Sequence, residues 1–234
     1  MPEVIFNGPA GRIEGRYSQS EDKSAPCVLV LHPHPVHGGT MNNKVAYNLF
    51  DVFAKNGCSA LRINFRGVGK SEGEFDNGVG ELTDAATALD WLQNQNPSAS
   101  NFWIAGFSFG SWIAMQLMMR RPEIQGFVAV SPPVNKYDFS FLSPCPAPGL
   151  IIQGDNDSIV SEEEVSSFVK KLNGQRNTEV EYHVIHSADH FFRQKMDDLR
   201  GIIEDYLRLK LSDQRPKKSK PDRRRRQIMD DPLI

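Results

Sequence analysis

Short, mostly apolar runs alternate along this chain with longer stretches in which apolar positions recur every three or four residues. The short runs are CVLVLH (27–32), SALRINF (59–65), FWIAG (102–106), GFVAVS (126–131), GLIIQG (149–154) and EVEYHVI (179–185), and each predicts a strand. Helical periodicity fills 43–56, 80–95, 109–120, 161–172 and 191–211; in the second of these, Leu82, Ala85, Ala86, Leu89 and Leu92 share one face. The strands are nearly continuously apolar rather than alternating, which is the pattern of a parallel sheet covered on both faces by helices. Near the N-terminus, VIFNGPAGRIEGRY reads as a hairpin with glycine turns, expected at the sheet edge. The prediction is a single α/β domain with a doubly wound, mostly parallel sheet, an N-terminal hairpin and no internal repeat.

Charge divides the chain. Residues 212–234, SDQRPKKSKPDRRRRQIMDDPLI, hold eight Lys/Arg and four Asp, a net of +4, which leaves −6 on residues 1–211. The tail has too little apolar surface to offset its ordering entropy and is expected to be disordered. With an overall net charge of −2, the domain is not built to bind nucleic acid or a membrane surface; a nucleic-acid contact would have to use the tail. No apolar run approaches the ~20 residues that span a bilayer. The N-terminus lacks the basic segment and long apolar stretch of a signal peptide. Cys27, Cys58 and Cys145 are odd in number and show no metal-type spacing, so buried thiols in a reducing cytoplasm are expected.

In such sheets, ligands bind beyond the carboxyl ends of the strands. Gly106-Phe107-Ser108-Phe109-Gly110 stands at one such end and fits G-x-S-x-G, in which a serine nucleophile occupies a strained strand-to-helix turn. The plain alternative is a glycine-rich turn with a capping serine. A serine hydroxyl needs a base within hydrogen-bond reach. Of six histidines, His190 in the loop HSADHFF is the best placed; His186 is a lesser candidate, and His183 lies inside a strand. The imidazolium needs a carboxylate partner, and after GLIIQG both Asp155 and Asp157 qualify, with turn and cap roles as the plain alternative. The order serine, acid, histidine, each after a separate strand, matches that of α/β-hydrolases.

Over residues 1–211, the stretches LHPHPVHGGTMNNK, LRINFRGVGKSEGEFDNGVGE, IAGFSFGS, QGDNDSIVS and SADHFF resemble small α/β-hydrolases, in particular compact prokaryotic ones near the dienelactone-hydrolase and carboxylesterase branches. The resemblance implies Ser108 as nucleophile, Asp157 as acid and His190 as base, with no cofactor and no metal. It also implies an oxyanion hole made by the Phe109 amide and a second amide from the loop after CVLVLH. Pro33 and Pro35 have no N–H, so His34 is the donor by position, with Gly38 and Gly39 as the alternative. His32, His34 and His37 also raise a metal reading, but no thiolate or carboxylate accompanies them. Asn64–Ser71 ends like a phosphate-binding loop but lacks its first glycine and a following helix. The segment 132–148 is too short and proline-rich for a lid, which predicts an open, shallow site. Phe107, Phe139 and Phe141 are either its apolar walls or ordinary core aromatics, the core reading being the better one for at least one of them.

The expected function is a serine hydrolase acting on a small acyl substrate, an ester or thioester. A binding module that works through the basic tail, and a small peptidase using the same three residues, are the alternatives. Homo-oligomerisation is left open.

Overall fold

The N-terminal hairpin forms as its pattern predicts, β1 (Glu3–Gly8) pairing antiparallel with β2 (Gly11–Ser18), in a computed structural model that describes residues 2–176 and 178–213. Six further strands follow: β3 (Cys27–Leu31), β4 (Ser59–Ile63), β5 (Phe102–Phe107), β6 (Ile124–Val130), β7 (Gly149–Gly154) and β8 (Val180–Ile185). They join one sheet in the order β1-β2-β4-β3-β5-β6-β7-β8, parallel from β4 to β8, with β2 antiparallel to β4. The interior strands β3 to β7 are buried almost throughout, whereas the edge strand β8 exposes its middle. That difference explains why the interior runs lack polar alternation.

Helices cover both faces. On one, α1 (Lys44–Lys55) and α5 (Met196–Asp213) bury Leu49, Phe53, Ile203 and Tyr206 against Val28, Val30, Trp103 and Ile152. On the other, α2 (Val79–Gln95), α3 (Phe109–Met118) and α4 (Glu162–Asn173) bury Leu89, Ile113 and Val169 against Leu29, Leu61, Ile104 and Ile151. Caps set the helix starts: Asn43 Oδ1 accepts from the Val45 and Ala46 amides, and Ser161 and Glu164 form a capping box.

The chain leaves β3 for β4 on one side, then returns to β5 on the other. The resulting crevice lies beyond the carboxyl ends of β3 and β5, the general ligand position in open α/β sheets. The main departure from the predicted boundaries is α5, which begins at Met196 rather than 191. Phe192 adopts a left-handed φ of 52° and its N–H closes a turn onto the Asp189 carbonyl, so 186–195 form a loop instead of helix. The helix runs to Asp213; beyond it, the basic tail lies outside the described residues. All three cysteines are buried and free. Among the described residues no helix is long and apolar enough to cross a membrane.

Candidate active site

The Gly106–Gly110 stretch forms a sharp turn between β5 and α3, and Ser108 stands at its apex with φ 52° and ψ −122°. That region is costly for a residue with a side chain and persists only where the surroundings impose it. Two constraints do so here. The Ser108 N–H donates to the Val130 carbonyl at 2.9 Å, and the first turn of α3 is pressed against neighbouring backbone. A Cβ on Gly106 would lie 2.4 Å from the Gly110 carbonyl oxygen, and one on Gly110 would lie 2.4 Å from that of Leu31. Only glycine lets α3 approach the sheet this closely. Gly110→Ala is therefore expected to destabilise the protein by about 3 kcal/mol, read as a lowered urea midpoint, because backbone cannot yield as a side chain can.

His190 and Asp157 converge on the apex from separate loops. His190 Nε2 lies 3.2 Å from Ser108 Oγ, and His190 Nδ1 lies 2.6 Å from Asp157 Oδ2. Asp157 is held on every side: Oδ1 accepts from the Ile159 and Val160 amides at 2.8 and 3.0 Å, and Oδ2 also accepts from Gln153 Nε2 at 3.0 Å. Burial opposes its ionisation, but the His190 hydrogen bond and charge, with the two amides, outweigh it and hold its pKa below the ordinary carboxylate value. The ring of His190 packs between Phe107 and Phe191, at centroid separations of 5.1 and 5.2 Å.

Asp155, two residues before Asp157, is exposed and does something else. Its Oδ2 pairs with His186 Nδ1 at 2.6 Å and its Oδ1 accepts the Ser187 amide at 2.6 Å. Asp155 and His186 thus fasten the loop that carries His190, and neither reaches Ser108. His183 lies exposed on β8, as its strand position implied.

The loop after β3 is set by His32, which is fully buried. Its Nε2 accepts the Phe65 amide at 3.0 Å, so its proton sits on Nδ1, 2.6 Å from the Pro33 carbonyl. That bond fixes the Pro33–His34 peptide, and among the described residues no protein group accepts the His34 N–H. The Gly38 and Gly39 amides, in contrast, donate to Pro35 and His34 carbonyls within their own turn. Phe109, the first residue of α3, has no carbonyl four residues back within the helix to receive its N–H. With both ring nitrogens engaged, His32 has no free donor atom for a metal.

Burial pushes the His32 pKa down to about 4, against a smaller opposing effect of the Pro33 carbonyl. The unfolded chain therefore takes up a proton near pH 6.5 that the folded chain refuses until about pH 4, and stability falls as pH drops through that window. The loss amounts to about 3 kcal/mol. Urea titrations across these pH values should show it, with a flatter profile in His32→Asn.

The cavity at Ser108 has a volume of about 250 Å³, and its apolar walls are Pro33, Phe109, Pro133, Tyr137, Ile159 and Phe191. Phe107 and Phe139 follow the core reading and do not line this cavity. Phe107 is buried beneath His190, while Phe139 stacks with Phe141 and packs against Phe168 of α4, in a different region. A larger groove of about 950 Å³ lies there, between the 132–148 connection and α4, but no histidine lines it. The Asn64–Ser71 loop is clamped by acids: Glu14 accepts from the Asn64 side chain and the Lys70 amide, and Lys70 Nζ pairs with Glu3. Its cation and its amide thus face carboxylates.

Sequence reasoning assigned no role to Gln153. A fully buried amide in the otherwise apolar GLIIQG was the available signal, since buried polar groups require partners. Gln153 Nε2 bridges the acid and the Val160 carbonyl, at 3.0 and 2.8 Å.

Comparison with known proteins agrees with this architecture. Residues 18–143, more than half the chain, match the family model of X-Pro dipeptidyl-peptidase (S15 family). An uncharacterised protein of Rickettsia prowazekii is 60% identical over 211 residues, which cover 88% of this chain and 89% of its own. A solved structure of a protein of unknown function from Agrobacterium tumefaciens, proposed there to be an α/β-hydrolase, is 55% identical with a TM-score of 0.88, covering 91% of this chain and 97% of that one. A serine hydrolase without a lid from Xanthomonas campestris is 30% identical with a TM-score of 0.80, covering 89% and 94%. By its sheet, its serine turn and these likenesses, the chain belongs to the α/β-hydrolases, within the group matched by the S15 family model and in a form without a lid domain.

Proposed function

We propose that this hydrolase cleaves small carboxylic esters or thioesters through an acyl-enzyme on Ser108. The observation that carries the reading is the continuous hydrogen-bonded line from Asp157 through His190 to Ser108 Oγ. In this reading His190 Nε2 takes the hydroxyl proton as Ser108 attacks the carbonyl carbon. Asp157, held ionised, stabilises the imidazolium and keeps the Nδ1 proton in place. The negative charge that develops on the substrate oxygen is received by the Phe109 and His34 amides, neither of which has a backbone acceptor among the described residues, and by the partial positive charge at the start of α3. His190 then protonates the leaving group, and water, activated by the same ring, releases the acid.

The S15 match favours a second reading, a peptidase acting on the same three residues. A dipeptidyl-peptidase must also receive a free, positively charged N-terminus, for which a carboxylate is the natural partner. The Ser108 cavity is lined by neither Asp nor Glu, which supports the ester reading over the peptide one. Short acyl esters and an X-Pro peptide amide, assayed side by side, discriminate the two.

The direct test is labelling with a fluorophosphonate, read by intact mass and peptide mapping. A single adduct on the peptide that contains Ser108 is expected. Folded protein that takes up no label would overturn the proposal.

A further inference from the structure

The polar side of the Ser108 cavity carries nitrogen groups beside the Ser108 and Tyr137 hydroxyls. Lys136, His34, His37 and Asn43 line it, and no carboxylate does. This basic mouth belongs to a domain whose first 211 residues carry a net charge of −6, so the local sign opposes the global one. Lys136 is exposed, and among the described residues no Asp or Glu lies within ion-pair distance of it. His34 and His37 stand with ring centroids 4.6 Å apart. His34 Nδ1 accepts the Val36 amide at 3.2 Å, which leaves the proton of the neutral ring on Nε2 as a free donor. Burial, reinforced by His37 and Lys136, holds the His34 pKa below its ordinary value, so that ring is a neutral donor and Lys136 supplies the charge.

The backbone that presents Lys136 is pinned. The Lys136 and Tyr137 amides both donate to the Pro133 carbonyl, at 3.0 and 3.1 Å. Asn135 Nδ2 donates to the Ile159 carbonyl, and Tyr137 stacks on Trp112 at 4.3 Å. The backbone from which Lys136 lines the cavity is therefore a pinned turn, although the segment is proline-rich and carries no helix.

The geometry points to a carboxylate-binding subsite formed by Lys136 with His34 and His37, so that the ester cleaved at Ser108 carries a carboxylate directed to the cavity mouth. This inference rests on the reading of Ser108 as nucleophile and narrows its substrate class. The single lysine charge, beside the N–H donor of His34, matches a singly charged carboxylate better than a phosphate dianion. A volume of about 250 Å³ lies below the range of pockets that hold drug-sized ligands, which favours a short acid over a bulky conjugate.

The test compares para-acetoxybenzoate with para-acetoxybenzamide, which share the acetyl ester and differ in charge at the far end of the ring. The ratio of their kcat/KM values is measured in wild type, Lys136→Met, Lys136→Glu and Lys136→Arg, which cancels the intrinsic reactivity of the two esters. The ratio is expected to fall about fivefold in Lys136→Met, chiefly through KM, to fall further in Lys136→Glu, and to return in Lys136→Arg. Added salt should erode the wild-type preference. A ratio that stays constant across all four proteins, in enzyme that still labels at Ser108, overturns the subsite alone. Failure to turn over either ester, with no phosphonate adduct, overturns the hydrolase reading and the subsite with it.

Discussion

Replacing Ser108 by alanine is expected to lower kcat for short acyl esters by about a hundred-thousand- to million-fold, the scale seen when a serine nucleophile is removed from such a constellation. Fluorophosphonate labelling should vanish with it. The fold should survive, because the forces that hold the apex do not involve the hydroxyl. The Ser108 amide still donates to Val130, and Gly106 and Gly110 still admit the first turn of α3. Ser111, whose Oγ donates to the Ser108 carbonyl at 2.6 Å, also anchors backbone and not side chain. A thermal melt within a degree or two of wild type, beside lost turnover, is the expected pair of results. A variant that retains esterase activity would assign the chemistry to another residue.

The second large effect is expected for Asp157→Asn, about ten-thousand-fold in kcat. The reason lies in the donors that surround the carboxylate. Ile159 and Val160 both donate to Oδ1, so the amide oxygen of asparagine must occupy that position. Its NH₂ group then takes the place of Oδ2, facing Gln153 Nε2 and His190 Nδ1. Facing a donor, His190 must turn Nδ1 into an acceptor and carry its proton on Nε2, where it can no longer take one from Ser108. Two NH₂ groups also meet without an acceptor between them, which adds a stability loss of about 1–3 kcal/mol. Steady-state kinetics and urea unfolding of the same preparation separate the two effects. A loss of activity smaller than tenfold would mean that the tautomer of His190 is not controlled by Asp157.

Much of this arrangement was legible in the chain. The unbroken apolar character of CVLVLH, FWIAG and GLIIQG announced interior parallel strands, because a strand covered on both faces has no wet side to mark with polar residues. GFSFG at a strand end announced the turn, since side chains at its two glycines would meet backbone at 2.4 Å. Ambiguity began where two residues of the same chemistry stood close together. Asp155 and Asp157 are both carboxylates after the same strand, and only the path of the turn sends one to His190 and the other to His186. Whether the aromatics were walls or core was open for a related reason. Composition marks Phe139 and Phe141 as aromatic, but the direction of the 132–148 connection turns them toward α4 and leaves Tyr137 at the cavity.

By itself, then, the sequence determined the layered α/β architecture, the strained serine turn and the set of groups available for chemistry. Those properties depend on local periodicity, on backbone conformations that few residues tolerate, and on side-chain type. Between Asp155 and Asp157 the residues alone left the choice open and the resemblance to α/β-hydrolases implied Asp157, which the tertiary structure brings to His190. The tertiary structure alone decided that Gln153 steadies that acid, that His32 orients the Pro33–His34 peptide, and that Lys136 lines the cavity. Each of these joins residues from different loops. Hydrogen bonds act only over about 3 Å, and no periodicity along the chain records which loops come that close once the sheet is assembled.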